Sequence, residues 1–230
     1  MNRLIPLSLL AFASTTAAQD YASIVTEAFA NIDTSFRDQW AYSETTTEEG
    51  VTIVGRFDPR QPLGNRWTLI SVDGRQPSAE EREDYLEDKE DDQGDERDDR
   101  NDGAQDLVKV ETLELIEETD QYWLFDFTPN IDDDDDEASK FLAEVNGTLK
   151  VAKAGPWVES LELSNDKPLK PAFSVKISRF FTRLTFGPAA EDGPIVPRSM
   201  EVQVRGRAAL VIRFDEAESI LFSDYEYAGG

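Results

Sequence analysis

The chain has neither cysteine nor histidine in its 230 residues. Without cysteine there is no disulfide, no thiol nucleophile and no cysteine-anchored lipid. Without histidine there is no Ser-His-Asp triad, no Cys-His pair and no His-ligated zinc. The sequence also lacks G-x-S-x-G, a Walker A loop and a G-x-G-x-x-G following a strand. Paired carboxylates can hydrolyse glycosides. With 48 acidic residues, however, a pair at suitable spacing arises by number alone and singles nothing out. The expectation is a protein that is not an enzyme, with no cofactor and no specific metal site.

Basic residues are scarce: 23 Lys and Arg stand against 48 Asp and Glu, for a net charge of −25. Such a field repels nucleic acid and anionic membrane surfaces, which are bound through clustered Lys and Arg. Apolar runs long enough to span a bilayer are missing too. The start of the chain, MNR followed by LIPLSLLAFA and Thr16-Ala17-Ala18, has the basic, apolar and small-residue parts of a secretory signal peptide. Residues 1–18 are therefore expected to be removed, leaving Gln19 first. That removes one cation, Arg3, and no acid, taking −25 to −26. Export without disulfides reads as a periplasmic location. Asn146-Gly147-Thr148 matches a glycosylation sequon, which matters only in a eukaryotic host.

What is present is alternation. The runs GTLKVAKA, PWVESLELSN, FSVKISRFFTRLTF, RSMEVQVRG, AALVIRF and SILFSDYEY carry apolar residues at every second position, the period of a strand with one wet face. Gly155-Pro156, Asn165-Asp166, Gly187-Pro188, Gly193-Pro194 and Asp215-Glu216 are the expected turns. Earlier, WAYSETTTEE and VTIVGRFDP flank Gly50 as a hairpin, and NRWTLISVDG reads as a third strand. LVKVETLELIEET and QYWLFDFTP supply two more, the first with a parity switch that reads either as a bulge or as a strand apolar on both sides. A second parity switch, between Ile177 and Phe180, predicts a further bulge and a curved sheet. Tyr21, Ile24, Val25, Ala28, Phe29, Ile32 and Phe36 recur at helical spacing, predicting an amphipathic helix to about Phe36 that covers the sheet. The fold class is α+β, a curved antiparallel sheet in one domain over residues 19–230.

An acidic insertion interrupts this domain at about residues 78–106. Ser78 and Glu81 have capping-box spacing, so a helix starts there. It holds only Tyr85 and Leu86 as apolar anchors, and the charge that follows predicts fraying and then disorder. Asp98, Asp102 and Gly103 fit three positions of a calcium loop, but Arg100 and Lys109 spoil the frame. Asp132 through Asp136 are five adjacent carboxylates and not a coordination geometry. EASKFLAEV then reads as a short helix with Phe141, Leu142 and Val145 inward.

Large aromatics are plentiful. Packed against the N-terminal helix they fill a core. On a sheet whose inner face is partly unfilled they line a cavity for an acyl chain or another apolar ligand. The candidate lining residues are Trp67, Trp123, Phe125, Trp157, Phe180 and Phe186.

The order of parts — signal peptide, amphipathic helix, antiparallel strands, a mid-chain helical insertion, further strands ending in FSDYEY — resembles the LolA/LolB/RseB-like periplasmic proteins. RFDPRQPLGNRWTLISVDGRQPS is similar to secreted bacterial proteins of this type. The resemblance implies an open half-barrel with helices as a lid that binds lipoprotein acyl chains or related lipids, as carrier or sensor. The carriers' cavity Arg has no matching position at Arg56, Arg66 or elsewhere, and the acidic insertion departs from their pattern. A second reading is an interaction module in which the acidic arm at residues 80–106 docks a basic protein, and a third is that the arm is only an acidic surface adapted to salt. In each case the expected protein is a monomer that neither binds nucleic acid nor spans a membrane.

Overall fold

The computed structural model describes residues 20–99, 103–130, 144–172, 174–209 and 212–229. The expected signal peptide, Asp132–Asp136, Phe141 and Leu142 lie outside the described residues.

Among the described residues, eleven strands form one antiparallel sheet that does not close. β1 (Trp40–Glu48) and β2 (Val51–Phe57) are the expected hairpin, turning at Glu49 and Gly50, both with positive φ. After β3 (Trp67–Val72) come β4 (Glu114–Glu118), β5 (Tyr122–Phe127), β6 (Asn146–Ala152), β7 (Trp157–Ser164) and the short β8 (Leu169–Ala172). Three long strands end the chain: β9 (Val175–Pro188), β10 (Ile195–Ala208) and β11 (Ile212–Tyr227). The spatial order is β3-β2-β1-β11-β10-β9-β7-β6-β5-β4, with β8 pairing to β9 off this path. The last strand therefore lies inside the sheet and joins the first three strands to the others.

The register aligns the apolar positions of successive strands on one face, called the inner face here. From Leu115 through Phe125, Leu149 and Leu161 to Leu184, each residue is the cross-strand partner of the next. The row continues through Met200, Ile220, Thr46 and Ile53 to Val72. Two clusters pack on this face. In the first, Val25, Ala28 and Phe29 of helix α1 (Tyr21–Ala30) join Phe125, Leu149, Leu161 and Leu163. In the second, Phe36, Tyr42, Phe57, Trp67 and Val196 come together. Each fully buried side chain of this size contributes about 1.5–3 kcal/mol.

Both parity switches coincide with bulges. Arg179 pairs with Arg205 and Ile177 with Gly206, leaving Ser178 as the extra residue; its Oγ donates to the Arg205 carbonyl at 3.0 Å. On β4, Ile116 is extra between Leu115 and Glu117. Ile70 is extra on β3 in the same way. Both free edges of the sheet thus carry a bulge, which twists an edge away from further pairing.

Four expectations change. The helix expected to Phe36 stops at Ala30, because the Asn31 side chain donates to the Pro156 carbonyl at 2.6 Å and Asp33 N to the Ile195 carbonyl at 2.8 Å. The chain is captured by the sheet, and α2 (Phe36–Gln39) is a separate turn. Asp215-Glu216 is not a turn: Asp215 faces Arg205, its carboxylate 2.9 Å from the guanidinium, so AALVIRF and SILFSDYEY belong largely to one strand. Val108 and Val110 precede β4, Val108 bridging to Pro129 and Val110 opening a 3-10 turn (Val110–Thr112). The acidic helix α3 runs from Ala79 to Asp99, well past the expected fraying point, before a single turn α4 (Gly103–Asp106).

Candidate functional site: a half-open strip of the inner face

Burial varies along the cross-strand row. Phe125, Leu149 and Leu161 are completely buried, and Val72 is buried at the other end. Between them Leu184, Met200, Ile220, Thr46 and Ile53 are only half-buried, and none belongs to either cluster. Val202, beside Met200 on the same face, is also half-buried. The inner face is therefore packed under the two clusters and more open between them, and open again at Leu115 on the β4 edge. At the hairpin side the strip runs into a cleft of about 310 Å³ lined by Thr46, Glu48, Glu49, Val51 and Ile53. That volume is at the small end of ligand sites. Glu48 faces Glu218 directly across β1 and β11, which gives the apolar floor an acidic margin.

Helix α3 borders the strip on the side of the second cluster. The capping box forms as expected, with Ser78 N donating to Glu81 Oε2 at 2.7 Å and Glu81 N donating to Ser78 Oγ at 3.1 Å. Arg75 also donates to Glu81 Oε2 at 2.8 Å. These bonds, chiefly the Arg75 side chain and then the Ser78 backbone, hold the Glu81 carboxyl down at about 2. One turn on, Tyr85 and Leu86 pack against the second cluster, and Lys89 Nζ lies 4.6 Å over the Trp67 ring. Lys89 also donates to Glu44 Oε1 at 2.6 Å. Burial pushes the hydroxyls of Tyr42, Tyr85 and Tyr225 well above the usual tyrosine range.

The six candidate lining residues are dispersed. Phe125 is in the first cluster, and Trp123, Phe180 and Phe186 pack partly buried against it. Trp67 is in the second cluster. Trp157 pairs with Ala152, the position next to inner-face Val151, and so lies on the opposite face. Arg56 is also remote from the strip, its guanidinium donating to the Asp224 carbonyl at 2.8 Å. Sequence reasoning did not single out Leu184, Met200, Ile220, Thr46 or Ile53. Their alternation was readable; the register that brings them into one row was not.

Among the described residues no helix is long and apolar enough to cross a membrane. Comparison of the chain with protein-family models, curated proteins and solved structures finds no match.

Proposed function

We propose that the protein binds an apolar chain, of the lipid or lipoprotein acyl class, in the half-open strip between the two clusters. The reading is of a non-enzymatic carrier or sensor in the periplasm, reached through the N-terminal signal peptide. One observation carries it: along a row that is apolar at every position but Thr46, the residues Leu184, Met200, Ile220 and Ile53 are only half-buried although a packed cluster stands on either side of them. A row needed only for the core gains most by being covered throughout, since each uncovered apolar group forgoes transfer free energy. Phe180 and Phe186, on the same strand as Leu184, border the strip from the first cluster, and Trp67 borders it from the second. The bulges at Ser178 and Arg198 bend the long strands, which in this reading makes the sheet a half-barrel with α1 as part of its lid.

The test is titration with a fluorescent long-chain fatty acid. Met200→Glu sets a charge in the floor of the strip and is expected to weaken binding roughly tenfold or more. Absence of binding to the unaltered protein, or equal binding by the variant, overturns the reading. A second reading, capture of a basic protein by α3, rests on Glu83, Asp84, Glu87 and Asp88, which are exposed on one side of a helix fixed to the sheet by its other side. Neutralising those four carboxylates abolishes a salt-sensitive partner and leaves fatty-acid binding unchanged.

A further inference from the structure

The scarce cations are unevenly placed. Residues 167–180 hold four and no acid, and residues 203–214 hold three and no acid. The rest of the chain holds 16 cations (23 less 7) against all 48 acids. The sheet joins the two windows. Lys176, Arg207 and Arg213 are successive cross-strand partners, and beside them Arg179 faces Arg205, with Asp215 beyond. This register puts all five cations on the outer face of one strand end. Arg179, Arg205, Arg207 and Arg213 are exposed and Lys176 is half-buried.

Two features separate this group from an ordinary wet face. The first is pairing. Like charges directly opposite each other weaken a sheet, and surfaces normally alternate sign across strands. Here three cations oppose one another in a single row, and among the described residues Lys176, Arg207 and Arg213 form no ion pair. The second is position. β1 pairs with β11 only from Glu218 onward, and β7 pairs with β9 only from Phe181 onward. The ends of β9, β10 and β11, with the short β8 flanking β9 at Val175 and Ile177, therefore project past β1 and β7, by roughly 20 Å for six residues of strand. That exceeds the screening length of about 8 Å at physiological ionic strength, so an anion meeting this end is screened from most of the carboxylates farther back. Ile212, 61% exposed, sits at the same end.

We infer that this projecting end is a docking surface for an anionic lipid membrane. The net charge predicts repulsion from such a surface; the local arrangement reverses it at one end. The cations form a laterally spread array at strand spacing, not a concave pocket, which matches a lateral field of lipid phosphates better than one small anion. The inference stands apart from the acyl-binding reading: either can fail alone.

The test is sedimentation with vesicles of phosphatidylglycerol and phosphatidylcholine in equal parts, and of phosphatidylcholine alone, using the chain from Gln19 and the full chain. The protein is expected to pellet with the anionic vesicles, less so as salt rises, and not with the neutral ones. Each cation removed lowers partitioning roughly fivefold, so Lys176→Gln, Arg207→Gln and Arg213→Gln together lower it on the order of a hundredfold. The same triple variant should melt at or above the temperature of the unaltered protein, because opposed like charges have been removed. Cations that served only the fold would instead lower the melting temperature. Three results overturn the inference: no retention on anionic vesicles, equal retention of the triple variant, or equally strong binding to polyglutamate, which would assign the surface to acidic proteins. Loss of salt-dependent self-association without loss of vesicle binding in the triple variant would also overturn it, by assigning the row to a second copy.

Discussion

Lys89 Nζ lies 2.6 Å from Glu44 Oε1, with the two side chains only 17% and 7% exposed, and this pair fixes the acidic helix α3 to strand β1. The register places Glu44 opposite Gly55 on the inner face, and Tyr85 of the same helix rests on that glycine, where an added Cβ would meet the Tyr85 hydroxyl at 1.9 Å. The helix is therefore held by a buried charge, an aromatic on a glycine and Leu86, one turn apart or less. Few apolar residues are needed when their seats are this specific.

Breaking one side of this pair should cost more than removing both. Lys89→Met leaves a carboxylate buried without its partner, and a loss of about 3 kcal/mol is expected. Combining it with Glu44→Met removes the stranded charge and should recover most of that loss. Urea denaturation of the two single variants and the double variant measures the coupling. Strict additivity would mean that the ion pair does not anchor the helix.

Acid should loosen the start of α3 before it affects the sheet. Glu81 is held at about 2 in the folded chain, below its ordinary 4.5, by Arg75 and the Ser78 backbone. A depressed carboxyl contributes stability that is complete above the ordinary value and is lost as pH falls through the folded one. The expected window is thus from about 4.5 down to about 2. Helical circular dichroism should decline across it, and Glu81→Gln should remove that component of the decline. Because Glu81 is only half-buried, salt should diminish the effect.

The sheet was more legible than the helices, and the reason is physical. Period-two alternation survives in sequence because each strand of the inner face must bury alternate residues, and a bulge leaves a parity switch, as at Ser178. Helix α3 left no comparable trace because it is anchored by Tyr85, Leu86 and Lys89 and not by an apolar stripe. Asp215-Glu216 looked like a turn because both residues favour turns, yet Arg205 across the strand gives Asp215 a partner and the strand continues. The half-open strip was the least legible part. It depends on which of several alternating strands come to lie side by side, and β11, last in sequence, lies between β1 and β10.

Two glycines of the inner face are seats for rings. Gly147 faces Phe127, whose ring would lie 2.3 Å from an added Cβ, and Gly206 faces Phe214 at 2.4 Å. A Cβ at Gly147 meets the ring itself and has no flexible chain end to displace. Gly147→Ala should therefore cost about 1–3 kcal/mol through overpacking, although alanine is not otherwise unwelcome in a strand. Pairing it with Phe127→Leu should relieve part of the cost, measurable as a negative coupling in thermal denaturation. A neutral Gly147→Ala would show that the ring moves aside freely.

Leu149 and Met200 lie in the same cross-strand row but in different surroundings, and the difference separates core from site. Leu149→Ala empties a fully buried position and should cost about 3 kcal/mol, within the range for core leucines. Met200→Ala removes a half-exposed side chain and should cost only about 1 kcal/mol. A bound acyl chain changes the comparison, because a ligand that binds only the folded state adds stability in proportion to its affinity. Saturating fatty acid should then raise the melting temperature of the Leu149→Ala protein nearly as much as that of the unaltered one. It should raise that of the Met200→Ala protein distinctly less. The reverse order would place the ligand within the first cluster, against Leu149, and not in the strip between the clusters.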